Sequence, residues 1–426
     1  MTAATETEAV EPRHVTVVSR KAPVAFGVIT LLYGLLLALA SREGLTHFRF
    51  ATDGDFVHLP SVALPAMTTA WVCGLIALVL TGLAFALTQA ARKVPIWVSV
   101  LFAVAVLFGF LAWGGAGSDA DFPIARLLAS SVLLAVPLVF GALGGVLGER
   151  AGVVNIAIEA QLLAGAFTAA IVGSLTDSPW AGLVAAIAAG MLVALVLGVF
   201  AITYRVEQII VGVVLNVLVI GLTSFFYSQV LVPDAQRLNS TTRFGSWAIP
   251  GLSGIPVIGP ALFRQSVIVY LMYIAVPAVW FAMFRTRWGL RLRAVGEHPQ
   301  AADTVGIKVE GMRYAGILVA GGVVGIGGAF YTVVSVSSFG KEMTAGAGFI
   351  ALAAVIFGKW DPVRAAMAAL LFGAASSLQG ALSIVRAPVP SQFMLMLPYV
   401  VTILAVAGFV GRSRPPAADG TPYVKE

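Results

Sequence analysis

Long apolar stretches recur along this chain and restrict its fold more than any other feature. A helix that crosses a bilayer needs roughly 20 consecutive apolar residues. The pattern therefore predicts an all-α polytopic integral membrane protein with about 12 transmembrane helices, within a range of 10 to 12. The expected spans are 24–40, 62–87, 94–113, 124–147, 152–172, 180–204, 209–231, 267–284, 314–333, 346–358, 365–382 and 393–411. The stretch 346–358 is short, which predicts a broken or partly buried helix.

The composition excludes several other classes of protein. Charged residues make up 11% of the 426 residues, whereas about a quarter is usual in soluble proteins. Cys73 is the single cysteine, so no internal disulfide can form, and the four histidines are too scattered to indicate a metal site. We therefore expect no metal and no cofactor. We also expect no nucleic-acid partner, because the net charge of +6 reflects which membrane loops carry the basic residues.

The distribution of basic residues predicts the orientation in the membrane. Cytoplasmic loops carry an excess of lysine and arginine, and most of the 26 basic residues lie on one side of the twelve expected spans. We therefore expect both termini in the cytoplasm. The expected parts are an N-terminal cytoplasmic tail (1–22), additional spans (23–120), a transmembrane core (121–411) with a cytoplasmic loop (285–313), and a cytoplasmic tail (412–426).

The loop 285–313 is expected to contain a helix of about two turns. Pro299 suits a first helical position, and Gly306 can end the helix in a left-handed conformation. The basic stretch before it fits a membrane anchor followed by a solvated turn. However, the small apolar side chains of Ala301, Ala302 and Val305 favour docking into a groove on a partner protein.

Two motifs carry a resemblance to a known family. The sequence GLRLRAVGEHPQAADTVGIKV, which begins at Gly289, resembles the coupling loop of ABC importer permeases of the sugar, nucleoside and branched-chain amino acid type. The sequence GERAGVVNIAIEAQLLAGAF, at 148–167, resembles the matching signature of the nucleoside-transporting branch. The resemblance covers about residues 124–411. Ala160 departs from the expected glycine, and the first 120 residues add about three spans to the usual permease core.

The resemblance implies a permease subunit of an importer in the bacterial plasma membrane, with no catalytic residues of its own. It implies three protein partners: an ATPase at the coupling loop, a second identical or different permease subunit, and an extracytoplasmic binding protein. The ATPase-coupling residues would be Gly289, Arg293, Gly296, Glu297, Pro299 and Ala302. The sequence has no GxxxxGK[ST] phosphate-binding loop, so a separate subunit must hydrolyse ATP.

Polar residues inside expected spans are candidates for the substrate pathway, because ionisable residues in a membrane usually face the protein interior. These candidates are Asn155, Glu159, Gln161 and Asn216. Glu159 is expected two turns into its helix, with Asn155 one turn earlier on the same face. Glu159 can contact a substrate or clamp a neighbouring helix, and the clamp is the favoured interpretation. Asn216 suits either role equally.

Other features have mainly structural interpretations. Glycines spaced four apart, such as Gly321 and Gly325, predict closely packed helices. Glu149 and Arg150 are expected to anchor a helix end at the membrane interface, or to pair with each other or with the ATPase.

The predicted function is nucleoside transport by alternating access. The nucleoside assignment depends on the stretch 148–167, and ribose or another simple sugar is the alternative. A transporter driven by an ion gradient, with Glu159 as the coupling site, has less support. An intramembrane enzyme would need paired acids or a Ser–Lys arrangement at membrane depth, and neither is visible.

Overall fold

The structure is a computed structural model that describes residues 20–51, 55–57, 59–118, 121–384, 392, 396 and 414–425. The predicted span 393–411 lies outside these residues, apart from Met396, and so does the predicted tail up to residue 19. The chain divides into two units. The described residues of Met1–Thr46 and Ala63–Asp119 form the first unit, and those of His47–Val62 and Ala120–Glu426 form the second.

Helices make up most of both units. The first contains α1 (Lys21–Leu39), α2 (Ala66–Gln89) and α3 (Ile96–Gly114). The second contains α4 (Ile124–Arg150), α5 (Ile158–Thr176), α6 (Pro179–Gly198), α7 (Gln208–Phe226), α8 (Ala235–Leu238), α9 (Val267–Arg285), α10 (Arg287–Glu297), α11 (Pro299–Thr304), α12 (Val309–Phe330), α13 (Ala347–Phe357) and α14 (Pro362–Ile384). Three of them, α6, α7 and α12, continue into a π-helical turn.

Ten of the described helices are long and apolar enough to cross a membrane. This confirms the prediction of an all-α polytopic membrane protein. The short span expected at 346–358 corresponds to α13, which has 11 residues. An 11-residue helix is about 16 Å long at 1.5 Å per residue, roughly half of the hydrocarbon thickness.

Short strands occur in the connections between helices, although the sequence predicted none. They are β1 (Leu45–Arg49), β2 (Val62–Pro65), β3 (Phe122–Pro123), β4 (Ser246–Ala248) and β5 (Arg264–Ser266). In the second unit, Trp247 of β4 lies opposite Gln265 of β5 in an antiparallel pair. Such pairs satisfy main-chain groups that the loops would otherwise leave without partners.

The first unit is a small helical bundle in which α2 packs against both α1 and α3. The rings of Phe26 and Phe102 stack with 4.1 Å between their centroids. The Tyr33 hydroxyl donates a hydrogen bond of 3.0 Å to the carbonyl oxygen of Ala70. Many apolar side chains on its helices are exposed, as expected for surfaces that contact lipid.

The core of the second unit is built around α4 and α12. Helix α4 packs against α12, α13 and α14, while α12 also packs against α5 and α6. A Cβ atom on Gly321 would lie 2.4 Å from the carbonyl oxygen of Gly190, and one on Gly144 would lie 2.3 Å from Val324 Cγ2. Larger residues would force these helices apart, which confirms the predicted packing role of the glycines.

One helix begins later than predicted, which changes the positions of two candidate residues. The span expected at 152–172 begins six residues later, because α5 starts at Ile158. Gly152 has a φ of +84°, a left-handed conformation that ends the preceding helical segment. Asn155 therefore lies in a non-helical connection rather than one turn before Glu159, and Glu159 lies in the first turn of α5.

Candidate functional site

The predicted coupling loop folds into two helices, α10 and α11, where the sequence predicted only the second. Thr286 caps α10, since its Oγ1 accepts a hydrogen bond of 3.1 Å from the main-chain nitrogen of Gly289. A Cβ atom on Gly289 would lie 2.2 Å from the carbonyl oxygen of Ala282. Glycine at this position therefore allows α10 to fold back against the end of α9. The basic stretch is itself helical.

Arg293 attaches α10 to α9. Its Nε donates a hydrogen bond of 3.1 Å to the carbonyl oxygen of Met283. Its guanidinium carbon lies 4.8 Å from the centre of the Phe284 ring, within range of a cation–π interaction. In this conformation the Arg293 side chain is thus bound to residues of α9.

The end of α10 contacts the end of α4. A Cβ atom on Gly296 would lie 2.2 Å from the carbonyl oxygen of Arg150. Arg150 Nη1 lies 3.5 Å from Glu297 Oε1, and Arg150 Nε donates a hydrogen bond of 3.1 Å to the carbonyl oxygen of Trp360. The two motifs found in the sequence, 148–167 and 289–309, therefore meet in the structure.

Glu149 and Arg150 do not pair with each other. Glu149 is buried, and its Oε2 accepts a hydrogen bond from Trp360 Nε1. Both residues therefore hold the connection between α13 and α14 against the end of α4. The sequence favoured a general role for them as an anchor at the membrane interface, whereas the structure gives each a defined partner.

Helix α11 has one buried and one exposed face. Pro299 occupies its first position, and Ala302 is buried in a cluster with Val295, Val309 and Tyr423. Ala301 and Val305 are exposed, Val305 at 74%. The sequence grouped these three apolar residues on one docking helix, but Ala302 holds α11 in place while Ala301 and Val305 are available to a partner.

Glu159 holds the beginning of α13. Its Oε1 accepts hydrogen bonds from the Thr344 hydroxyl at 2.6 Å and from the Gly346 nitrogen at 2.9 Å. Its Oε2 accepts one from the Gly348 nitrogen at 2.6 Å. A carboxylate at a helix N-terminus satisfies free N–H groups and interacts favourably with the helix dipole. The Glu159 carboxylate is thus a cap for α13, provided by a different helix.

The other three candidates hold the chain around the start of α5. Asn155 and Gln161 form two reciprocal hydrogen bonds of 3.1 Å through their side-chain amides. Asn216, from α7, accepts a hydrogen bond from the Ala160 nitrogen and donates one to the Ile156 carbonyl oxygen, each at 2.9 Å. The structure therefore brings the four predicted pathway residues together where α5, α7 and α13 meet.

All four of these residues are buried, and their hydrogen-bonding atoms bind other protein groups in this conformation. Direct contact between a substrate and these side chains would need another conformation. Their assignment to the substrate pathway stays a prediction.

Sequence reasoning missed several residues of this junction. Thr344 and Gly348 bind the Glu159 carboxylate, and Gln208 Oε1 accepts a hydrogen bond of 2.7 Å from the Val154 nitrogen. Arg313 is 1% exposed, although the sequence assigned it to a cytoplasmic loop. Among these residues, only the glycines could have been noticed in the sequence. Gly346 and Gly348 lie at the start of a short apolar stretch, where a helix must begin.

The structure combines long apolar helices with a helical loop that packs where the two motifs meet. This is the arrangement expected of a membrane transport protein. A family model described as "Branched-chain amino acid transport system / permease component" matches residues 127–406. The chain belongs to this family of ABC transporter permeases. It is a transport subunit and a multi-pass protein of the bacterial plasma membrane.

Curated relatives match a large part of the chain. The guanosine ABC transporter permease protein NupQ of Bacillus subtilis is 42% identical over 308 residues, which are 70% of this chain and 96% of the relative. The nucleoside ABC transporter permease protein NupC of Lactococcus lactis is 40% identical, with the same coverage of each chain. A putative glucose ABC transporter permease protein of Haloferax volcanii, TsgC13, is 38% identical over 60% of this chain and 77% of the relative. No solved structure matches the chain.

Proposed function

We propose that this chain forms the translocation pathway of an ATP-driven nucleoside importer. The observation that carries the proposal is the contact between the end of α10 and the turn that leads from α4 to the expected pathway helix α5. Gly296 and Glu297 pack on Arg150, two residues before the left-handed Gly152. The next segment leads directly to Glu159, which caps α13. A displacement of α11 can therefore reach α13 through one short connection.

Alternating access follows from this connection. A separate ATPase subunit would bind the exposed face of α11, and its closure on ATP would move α11 and α10, because His298 alone separates these two helices. The movement would shift the start of α5 and, through the Glu159 carboxylate, the half-length helix α13. ATP can drive this change only by binding one state more tightly than the other.

The predicted coupling residues have two kinds of role in this proposal. Gly289, Arg293 and Gly296 hold α10 to α9 and α4, and Ala302 holds α11 to its cluster. The ATPase would contact the outer face of α11, which includes Gln300, Ala301 and Thr304, and Val305 directly after the helix.

The four polar residues at the α5 junction act on transport through the position of α13. Asn155, Gln161 and Asn216 fix the conformation of the connection before α5. Glu159 couples the position of this connection to the position of α13. Short or broken helices are typical of the substrate sites of transporters. We place the substrate path beside α13 for this reason.

The orientation and the partners complete the proposal. We place α10, α11 and both termini in the cytoplasm, in agreement with the excess of basic residues on that side. The core at 121–411 would pair with a second permease subunit, and an extracytoplasmic binding protein would deliver the substrate. Two of the relatives at about 40% identity carry nucleoside or guanosine transport in their names, which supports nucleosides as substrates.

A reconstituted transport assay tests the proposal. The permease would be purified with its ATPase and second subunit, inserted into liposomes, and supplied with the binding protein and labelled guanosine. We expect uptake that requires ATP, persists with a protonophore, and is competed by guanosine, adenosine and uridine but not by ribose. Uptake that persists without the ATPase, or collapses with the protonophore at constant ATP, would refute it.

A simple sugar is the second candidate, because the chain is 38% identical to the relative whose name assigns it glucose. In the same assay, competition by glucose or ribose with no effect of nucleosides would favour this candidate.

A further inference from the structure

The C-terminal segment of the protein lies against the coupling helices. The Ala418 nitrogen donates a hydrogen bond of 2.9 Å to the carbonyl oxygen of Gly296, at the end of α10. The Ala417 nitrogen donates one of 3.2 Å to Glu297 Oε2, while Glu297 Oε1 faces Arg150. Glu297 thus joins the C-terminal segment and α4 at the same carboxylate. We call residues 417–423 the C-terminal strap.

The strap also has an apolar attachment. The side chain of Tyr423 is buried with Val295 of α10, Ala302 of α11 and Val309 of α12. Helix α11 has only six residues, and a helix this short is not stable without tertiary packing. Tyr423 therefore contributes to the surface that keeps α11 in place between α10 and α12.

A buried arginine provides a third attachment. Arg313, in the first turns of α12, is 1% exposed, and its Nη1 donates a hydrogen bond of 2.9 Å to the carbonyl oxygen of Thr421. Its Nε and Nη2 have no hydrogen-bond partner among the described residues. A nearby acidic side chain offsets part of the cost of burying this guanidinium. Asp419 of the strap lies within electrostatic range of Arg313, and Glu149 of α4 lies within electrostatic range of Asp419.

The backbone around the strap is shaped to admit it. A Cβ atom on Gly152 would lie 3.0 Å from Arg313 Nη2 and 3.3 Å from the carbonyl oxygen of Ala418. Gly152 has a φ of +84° and Gly420 a φ of +74°. The strap therefore sits on the left-handed turn between α4 and α5, the same turn through which the proposed coupling passes.

We propose that the C-terminal strap is a positioning element of transport, which clamps α10 and α11 to α4 and α12 so that movement of α11 is passed to the α5 junction. This inference rests on the proposed function. With the strap in place, α10 and α11 move together with the turn at Gly152. Without the strap, movement of the ATPase can displace α11 while α5 stays in place. ATP hydrolysis then continues without transport.

The test measures the number of substrate molecules transported per ATP hydrolysed, in liposomes with the complete importer and labelled guanosine. Tyr423→Ala removes the apolar attachment, and Ala418→Pro removes the N–H that binds Gly296. We expect each variant to bind the ATPase and to keep ATP hydrolysis within about twofold of the wild type, with transport per ATP reduced at least fivefold. Tyr423→Phe, which retains the ring, should restore most of this ratio. Val424→Ala is the matched control, because Val424 follows the strap and is 53% exposed.

Each result decides the inference. A wild-type ratio in both Tyr423→Ala and Ala418→Pro would overturn it, and so would loss of ATPase binding in both, which would show a role in assembly rather than in positioning. If the wild-type importer itself shows no ATP-dependent uptake, the proposed function fails. If Gly296 variants lose uptake while the strap variants do not, only the inference about the strap fails.

Discussion

The Glu159 carboxylate accepts a hydrogen bond of 2.6 Å from the Thr344 hydroxyl, across 185 positions of sequence. This contact links the first turn of α5 to the residues just before α13. Because two further N–H groups of the α13 start bind the same carboxylate, a side chain of one helix determines where another helix begins.

We expect Glu159→Ala to destabilise the protein and reduce uptake. The substitution leaves a hydroxyl and two N–H groups without an acceptor, and each such group costs about 1–3 kcal/mol where it is buried. Thermal unfolding in detergent should therefore show a lower midpoint, and uptake should fall at least tenfold. Glu159→Gln, which retains one carbonyl oxygen, should give an intermediate midpoint. Equal midpoints for Glu159→Ala and the wild type would contradict the capping role.

Gly296→Ala is expected to abolish transport while the membrane helices stay folded. Its Cβ atom would lie 2.2 Å from the Arg150 carbonyl oxygen, so α10 must separate from α4. ATP-dependent uptake should fall at least tenfold in the liposome assay. Gly311→Ala is the control, because its nearest neighbour atom would be Lys308 Cβ at 3.9 Å, and it should transport as the wild type does. Wild-type uptake in Gly296→Ala would show that this contact is not needed.

The amide pair of Asn155 and Gln161 should show strong coupling in a double-mutant cycle. Asn155→Leu or Gln161→Leu alone leaves a buried amide unpaired, at a cost of about 1–3 kcal/mol. The double substitution removes both amides, so its effect on the unfolding midpoint should be smaller than the sum of the single effects. Strictly additive shifts would indicate that the two side chains act independently.

Attachment of the C-terminal strap should weaken as the pH rises. Burial raises the pKa of Asp419 to about 7, although the nearby Arg313 guanidinium opposes this shift. Asp419 also lies within electrostatic range of Glu149, and the repulsion between two carboxylates disfavours their ionisation. The attached strap thus binds the proton more tightly than the free strap, so attachment is strongest below the ordinary pKa of Asp419 and weakens as the pH increases toward 7.

Hydrogen exchange measures this pH dependence. After correction for intrinsic exchange rates, the protection of residues 417–423 should fall severalfold between pH 5.5 and pH 7.5. Asp419→Asn cannot titrate, so it should show nearly constant protection over the same range. A wild-type protection that rises with pH would have the opposite sign and would reject this assignment.

Local sequence features were sufficient for much of the fold. The length of apolar stretches predicted the membrane helices, including a short one where α13 lies, because spanning a bilayer depends mainly on length and hydrophobicity. The connection predicted at 285–313 gives way to α12 at Val309, and α10 was not predicted as a helix, since its stability depends on packing against α9 and α4. The start of α5 was placed too early because Gly152 looked like part of an apolar span.

By itself, the sequence determined the class of protein: a polytopic membrane permease whose two motifs, 148–167 and 289–309, carry the resemblance to ABC importer permeases. Only the tertiary structure decided what the polar residues do. Glu159 and Thr344, or Arg313 and Thr421, lie more than a hundred positions apart, and no local pattern reports which partner a buried group will find. A buried polar or charged group must find a partner, and the packing of distant helices selects which one.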